Sequence, residues 1–138
     1  MKKSGRQGAR QLALQALYQA QIAGHEQAEL ADQFRDDPGY ELCEQAYFDA
    51  LLDETFGHRE HLDNDIGEYG DIPPQQLDPV ERAVLWIGLT ELRFHDDVPV
   101  PVVINEAVEL TKIYGAEGGH RYVNGVLDKA GQSLRPAA

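Results

Sequence analysis

Residues 102–134, VVINEAVELTKIYGAEGGHRYVNGVLDKAGQSL, contain the pattern that decides the fold of this 138-residue chain. Their first half repeats apolar residues at helical spacing, Val103 and Ala107 among them, and the second half does the same from Val123 onwards. Between the two patterns lie residues 116–120, which are small or polar and carry no strand signal. The sequence therefore predicts two amphipathic helices joined by a glycine-rich segment, called the elbow below.

Some residues of this stretch need more than periodicity to explain them. Gly115 follows Lys112 at the end of the first pattern, and we predict a helix C-cap with positive φ there. Several polar positions could be ordinary solvated helix positions, and periodicity does not decide the matter: Asn105, Glu106, Asn124, Gly125 and Asp128.

A second clear helical pattern opens the chain. Apolar residues recur from Ala9 at spacings of three and four, and Gly24 ends the pattern. A neighbouring column contains Arg10, Leu14, Tyr18 and Ile22. This column either widens the core stripe or forms an exposed apolar strip that awaits a partner.

A third helix begins after residues 71–76 (DIPPQQ), where two prolines interrupt helical structure. Asp78 is the predicted N-cap and Pro79 the first helical residue. Glu81 is predicted to complete a capping box, which would leave its carboxylate partly exposed. The helix that follows is apolar on almost every face, so we predict that it lies in the middle of a bundle.

The remaining region gives weaker helical patterns. We predict a helix ending near Phe34, a turn at residues 36–39, and a long helix that Gly57 breaks or bends. Strand alternation and internal repeats are lacking in the sequence. The predicted fold is all-α, one domain of six or seven helices in two packed sub-bundles, about residues 1–72 and 77–138.

Charge is distributed very unevenly along the chain, whose formal net charge is -12. Residues 26–78 contain 16 acids and two arginines. Residues 1–25 contain no acid and four bases, which are Lys2, Lys3, Arg6 and Arg10. A basic end on an acidic body is compatible with one localised anion-binding face.

The chain contains a single cysteine, Cys43, so it has no means of forming an internal disulfide. Its start lacks the apolar run of a signal peptide, and no stretch approaches the ~20 apolar residues of a membrane span. The expected location is the cytoplasm.

Catalytic and metal-binding patterns fail on inspection. The HREH segment at residues 58–61 has neither zinc-protease spacing, and residues 63–65 lack the glycine that a calcium loop requires. The glycines at 115–119 follow a helix and lack the lysine of a phosphate-binding loop. We therefore predict neither an enzyme nor a metal or cofactor site.

A non-catalytic RNA site can be assembled instead. Lys112, Arg121 and Lys129 add positive charge around the elbow, while the N-terminal bases supply phosphate contacts. Tyr114 and Tyr122 flank the elbow and could stack on unpaired bases. The spacing is equally compatible with two core tyrosines whose hydroxyls alone reach water.

Four segments closely resemble signature segments of the NusB family of bacterial transcription antitermination factors. In chain order they read ARQLALQALY, LDPVERAVLWIGLTEL, INEAVEL and YVNGVLD. The resemblance covers nearly the whole chain, and only residues 24–71 match loosely. Four blocks in family order are far more specific than any one of them.

The resemblance implies a NusB-like fold and a function in antitermination. Such proteins bind the boxA element of nascent ribosomal RNA together with NusE, a small-subunit ribosomal protein. The pair joins RNA polymerase with NusA and NusG and suppresses premature termination. Matching positions imply RNA contacts at Lys2, Arg6, Arg10, Lys112, Tyr114, Glu117, His120, Arg121 and Tyr122, and partner contacts at Tyr18 and Glu81.

Three departures from the family pattern qualify these expectations. The family often has a run of arginines where this chain reads RQGAR, often an acid at Gly118, and commonly a base at Trp86. The departure at Trp86 leaves two explanations open, which are different burial of the central helix and self-association as a homodimer. Two alternative functions also remain: a stand-alone relative of the RNA-binding module of RNA cytosine methyltransferases, and a purely protein-binding adaptor.

Overall fold

The computed structural model describes residues 5–136, and every regular element within that range is helical. It contains eight α-helices, so the all-α prediction is confirmed with one helix more than expected. The unexpected helix is short, Pro38–Leu42, and begins where Asp37 Oδ1 accepts a hydrogen bond from the Gly39 N–H at 2.8 Å. In the described range, no helix is long and apolar enough to cross a lipid bilayer.

The contacts within the chain divide it into two compact units, between Gly57 and His58. The first unit contains α1 Gly5–Ala23, α2 Gln27–Arg35, α3 Pro38–Leu42 and α4 Gln45–Gly57. The second contains α5 Arg59–Tyr69, a 3-10 turn Pro74–Gln76, α6 Pro79–Phe94, α7 Val100–Tyr114 and α8 Gly119–Leu134. The boundary between the units lies before the prolines of residues 71–76. Helix α5 belongs to the second unit because it packs against α6 and α8.

Helix α1 is the centre of the first unit and contacts α2, α3 and α4. Its buried face is rich in alanine, with Ala9, Ala13 and Ala16 fully buried. Small side chains let a neighbouring helix approach closely, and the large residues Phe48 and Leu51 of α4 are buried in the same unit.

The first turns of α1 lie close to the junction between α3 and α4. The Glu44 N–H donates a hydrogen bond to the Gly5 carbonyl at 2.9 Å. A Cβ added to Gly8 would lie 3.1 Å from the Cβ of Cys43, which is closer than an ordinary contact of about 3.5–4.0 Å between carbons. There is therefore little room for a side chain at Gly8.

Helix α6 is the centre of the second unit, as its apolar sequence predicted. Asp78 is its N-cap and Pro79 its first residue, and both predictions are confirmed. Asp78 Oδ1 accepts hydrogen bonds from the N–H groups of Val80 at 2.8 Å and Glu81 at 3.4 Å. Residues on all faces of the helix are buried because α5, α7 and α8 pack around it.

Two acidic residues of α5 connect it to α6 through charged hydrogen bonds. The Arg93 guanidinium donates to both carboxylate oxygens of buried Asp65 at 2.7 Å, and these bonds raise the pKa of Arg93. Arg82 donates to Asp63 at 2.6 Å, and Trp86 Nε1 donates to the same carboxylate at 2.9 Å. Trp86 is therefore buried with its only polar atom satisfied.

Candidate functional site

The elbow, residues 116–120, follows the end of α7 at Tyr114 and includes the first two residues of α8, which starts at Gly119. The predicted positive φ at Gly115 is wrong, since its φ is -90° and its conformation is extended. Glycine is favoured at this position because there is no space for a side chain. A Cβ would lie 2.8 Å from the Thr111 carbonyl oxygen. The positive φ occurs instead at Gly118, the N-cap of α8, where φ is 82°.

Several of the predicted RNA contacts around the elbow present their side chains to solvent. Tyr114 is 40% exposed, and its neighbour Ile113 is 62% exposed. Lys112 Nζ lies 3.6 Å from Glu109 Oε1 in an exposed pair. Glu117 and Arg121 are also exposed, whereas His120 is half-buried. Sequence reasoning missed Ile113, although its position beside the apolar stripe of α7 was a usable signal.

Tyr122 is anchored within the second unit. Its hydroxyl accepts a hydrogen bond from the Ile72 N–H at 3.2 Å. The same hydroxyl lies so close to Gly70 that a Cβ there would meet it, and the Tyr122 side chain is half-buried. The ring therefore fastens the start of α8 to the segment after α5. Tyr114, by contrast, keeps a larger exposed surface.

Glu81 occupies a different environment from the one predicted. It is only 8% exposed, and its carboxylate lies against Gly119 at the start of α8. The expectation of a partly exposed capping-box carboxylate is therefore wrong, because the Glu81 side chain turns towards α8. Asp78 caps the helix, but Glu81 does not complete the capping box. Burial, and secondarily the nearby Asp78, raises the pKa of Glu81.

The N-terminal bases differ strongly in their surroundings. Lys2 and Lys3 lie outside the described residues. The Arg6 guanidinium lies 4.4 Å from the Tyr47 ring centre and its Nε lies 3.5 Å from Glu44, with about a third of the side chain exposed. Arg10 is only 4% exposed, and its guanidinium lies 5.6 Å from the same ring.

Tyr47 therefore supports two of the four predicted N-terminal cations through cation–π contacts. Tyr47 was not among the site residues predicted from the sequence. The sequence around Tyr47 gives no sign of this contact, because the ring and the two arginines are about forty positions apart in the chain.

The column on α1 divides into a buried and an exposed part. Leu14 is buried, as the core alternative required, whereas Tyr18 is 42% and Ile22 is 61% exposed. Tyr18 and Ile22 are one helical turn apart, so they form a small apolar strip on the surface of the first unit. The exposed-strip alternative therefore holds for Tyr18 and Ile22, whereas Leu14 belongs to the core.

Three of the positions that periodicity left unexplained, Asn105, Asn124 and Asp128, line a groove between α7 and α8. The groove has a volume of about 460 Å³ and is formed by Val100, Pro101, Ile104, Asn105, Val108, Asn124 and Asp128. Asn105, Asn124 and Asp128 are exposed on it. Across residues 5–136, no group of three or more His, Cys, Asp or Glu side chains is arranged to hold a metal ion.

Comparison with known proteins places these features in a family. The model of the NusB family matches residues 7–132. A Paraburkholderia phymatum protein named Transcription antitermination protein NusB is 45% identical over 133 residues, which cover 96% of this chain and 92% of that protein. The structure of T. maritima NusB matches with a TM-score of 0.85 and 26% identity, covering 99% of this chain and 96% of that one.

A second solved structure contains antitermination factors NusB and NusE in complex with dsRNA. It matches this chain with a TM-score of 0.76 and 29% identity, covering 93% of this chain and 96% of that one. The family match spans most of the chain, and the sequence and structural matches agree with it. The chain belongs to the NusB family.

Proposed function

We propose that this protein is a transcription antitermination factor that binds boxA-type RNA in nascent ribosomal RNA transcripts together with a NusE-type ribosomal protein. With NusA and NusG it suppresses premature termination by RNA polymerase, in the cytoplasm and without catalysis. The observation that carries the proposal is the similarity to a solved complex of NusB, NusE and RNA. The solvent-exposed cations and aromatic ring of the elbow support it.

In this proposal the elbow binds unpaired bases and their phosphates. Tyr114 supplies an exposed ring for stacking, and the exposed Lys112 and Arg121 supply positive charge before and after the elbow in the chain. Glu117 and His120 offer hydrogen bonds to base edges or ribose. Tyr122 contributes mainly by fixing the start of α8, since its hydroxyl is already bonded to the Ile72 backbone.

The N-terminal bases form the second part of the proposed RNA contact. Lys2, Lys3 and Arg6 provide phosphate contacts whose strength depends on salt. Arg10 acts from a buried position, where it adds positive potential and shares the Tyr47 ring with Arg6. We therefore assign direct phosphate contact to Arg6 and a supporting role to Arg10.

The NusE-type protein is proposed to contact Tyr18, with Ile22 beside it, and Glu81. Apolar side chains this exposed are typical of a docking surface when they are adjacent. Glu81 is a buried carboxylate that lies against Gly119, and burial raises its pKa. A donor from a partner would stabilise the charged form, which is why such groups often mark binding sites.

The direct test is a fluorescence titration of a boxA-containing RNA and of a scrambled RNA at physiological salt, with and without the NusE-type protein. We expect preferential binding of boxA, strengthened by the partner. Equal affinity for the two RNAs in both conditions would contradict the proposal. Binding of the partner without any RNA binding would favour the adaptor alternative.

A matched pair of variants tests the elbow itself. Arg121→Ala should weaken RNA binding and lower the slope of log affinity against log salt by about 0.7, the value for one phosphate contact on a single strand. Arg35→Ala removes another exposed arginine, from α2 beside Asp32, and should leave binding unchanged. Equal effects of the two substitutions would mean that only net charge matters and that the elbow is not the site.

A further inference from the structure

Glu81 and Gly119 are in direct contact across two helices of the second unit. A Cβ added to Gly119 would lie 2.5 Å from Oε2, 2.7 Å from Cδ and 3.2 Å from Oε1 of Glu81. All three distances are shorter than ordinary van der Waals contact. The carboxylate of Glu81 therefore occupies the space that the side chain of any other amino acid at position 119 would need.

The backbone at Gly119 does not itself require glycine. Positive φ among the described residues is confined to Gly24 and Gly118, and Gly119 is the first residue of α8. An alanine could adopt its conformation without strain. What restricts the position is the end of a flexible side chain, and this obstacle can move when a methyl group is introduced.

The rest of Glu81 is held more firmly than its carboxylate. Its N–H donates to Asp78 Oδ1 at the capped start of α6, and α6 is buried on all faces. The direction of the carboxylate therefore depends on what lies beside it. Gly119, by lacking a side chain, leaves the space in which the carboxylate rests.

We infer that Gly119 is a positioning residue for the protein partner: the elbow, through Gly119, holds the Glu81 carboxylate where the partner's hydrogen-bond donor reaches it. This inference rests on the proposed docking role of Glu81. It assigns a function in protein binding to a residue of the RNA-binding elbow. Because coupling between two ligands is reciprocal, RNA that shifts the start of α8 should alter partner affinity, and the partner should alter RNA affinity equally.

The test is Gly119→Ala, measured by calorimetric titration with the NusE-type protein in the absence of RNA. We expect the substitution to displace the carboxylate and to weaken partner binding about tenfold, as expected for partial loss of a hydrogen bond to a charged group. The melting temperature should stay equal to that of the parent or rise, since alanine favours helix. A marked fall in melting temperature would overturn the inference, because the obstacle would then not be a movable carboxylate.

The matched control is Gly125→Ala, a second glycine-to-alanine change in α8. Gly125 is exposed, and apart from its chain neighbours and the backbone of its own helix no atom lies within 4 Å of an added Cβ. This variant should bind the partner as the parent does. If Gly119→Ala also binds like the parent while Glu81→Lys loses binding, the inference is overturned. Glu81 would then dock the partner without being positioned by Gly119.

A double-mutant cycle shows whether the effect passes through Glu81. In a Glu81→Ala background the carboxylate is gone, so Gly119→Ala should cause no further loss of partner affinity. An equal loss in both backgrounds would overturn the inference, since Gly119 would then act independently. Failure of the docking role is separate: Glu81→Lys would bind the partner normally, whatever Gly119→Ala did.

Discussion

The anchoring of Tyr122 leads to a prediction that separates the two tyrosines beside the elbow. Tyr122→Phe removes only the hydroxyl that accepts the Ile72 N–H, whereas Tyr122→Ala also removes the half-buried ring. If Tyr122 acts by holding the start of α8, both changes should reduce folding stability. RNA binding should then depend mainly on Tyr114.

The expected magnitudes follow from the contacts. The hydrogen bond to Ile72 is 3.2 Å long and lies in an exposed segment, where water can replace the hydroxyl. Its loss should therefore cost about 0.5–1 kcal/mol of the free energy of unfolding. Removal of the ring should cost about 2–3 kcal/mol, towards the lower end for large aromatic side chains because Tyr122 is only half-buried.

The assay combines thermal unfolding with RNA titration. Tyr122→Phe should lower the melting temperature by roughly 2–5 °C, as expected for a domain of this size, and change RNA affinity by less than about twofold. Tyr114→Ala is the matched comparison, because Tyr114 is more exposed and lies on the other side of the elbow. It should cost about 1–3 kcal/mol of RNA binding with a small effect on melting temperature.

One result would refute this reasoning. If Tyr122→Ala melts like the parent and loses RNA binding by as much as Tyr114→Ala, then Tyr122 stacks on a base and the hydrogen bond to Ile72 contributes little. Retained RNA affinity in Tyr114→Ala would independently contradict the stacking role of Tyr114.

Deleting residues 2–6 should lower the log–log salt slope of RNA binding by roughly 2 if three cations touch phosphate, and an unchanged slope would show that they do not. Asp65→Asn should destabilise the fold by about 1.5–3 kcal/mol in urea unfolding, since it removes the charged partner of a partly exposed Arg93 guanidinium; a cost near zero would mean that water replaces the pair. The raised pKa of Glu81 means that its charged form destabilises the folded state, fully at pH values above that pKa and not at all below the unfolded value of about 4.3. Glu81→Gln should accordingly raise the melting temperature at pH 7, with the advantage disappearing near about pH 4; a difference that does not vary with pH would exclude this cause.

Local signals in the sequence predicted local structure well. Asp78 and Pro79 start α6 as predicted, because capping and the fixed φ of proline depend only on adjacent residues. Gly24 follows the end of α1 with φ of 67°. The short helix α3 was missed because an Asp-Pro-Gly sequence favours a turn and the start of a helix equally.

Contacts between distant segments were beyond the reach of periodicity. Nothing near Arg10 in the sequence indicates that it is buried beside Tyr47, and nothing near Glu81 indicates that its carboxylate turns towards Gly119. Gly115 shows a related difficulty, since glycine can serve either positive φ or close packing and the sequence does not distinguish them. The candidate site is therefore predictable as a set of residue types, but not as a set of side-chain environments.

The close approach of α1 to Cys43 restricts how descendants of this protein could gain positive charge. An arginine at position 8 would bring its Cβ within 3.1 Å of the Cys43 Cβ, so helices of the first unit would have to shift. Gln7 is exposed, and an arginine there would add the same charge without that contact. Selection for tighter RNA binding should consequently change position 7 before position 8, and the order of such substitutions in a lineage would be dictated by packing.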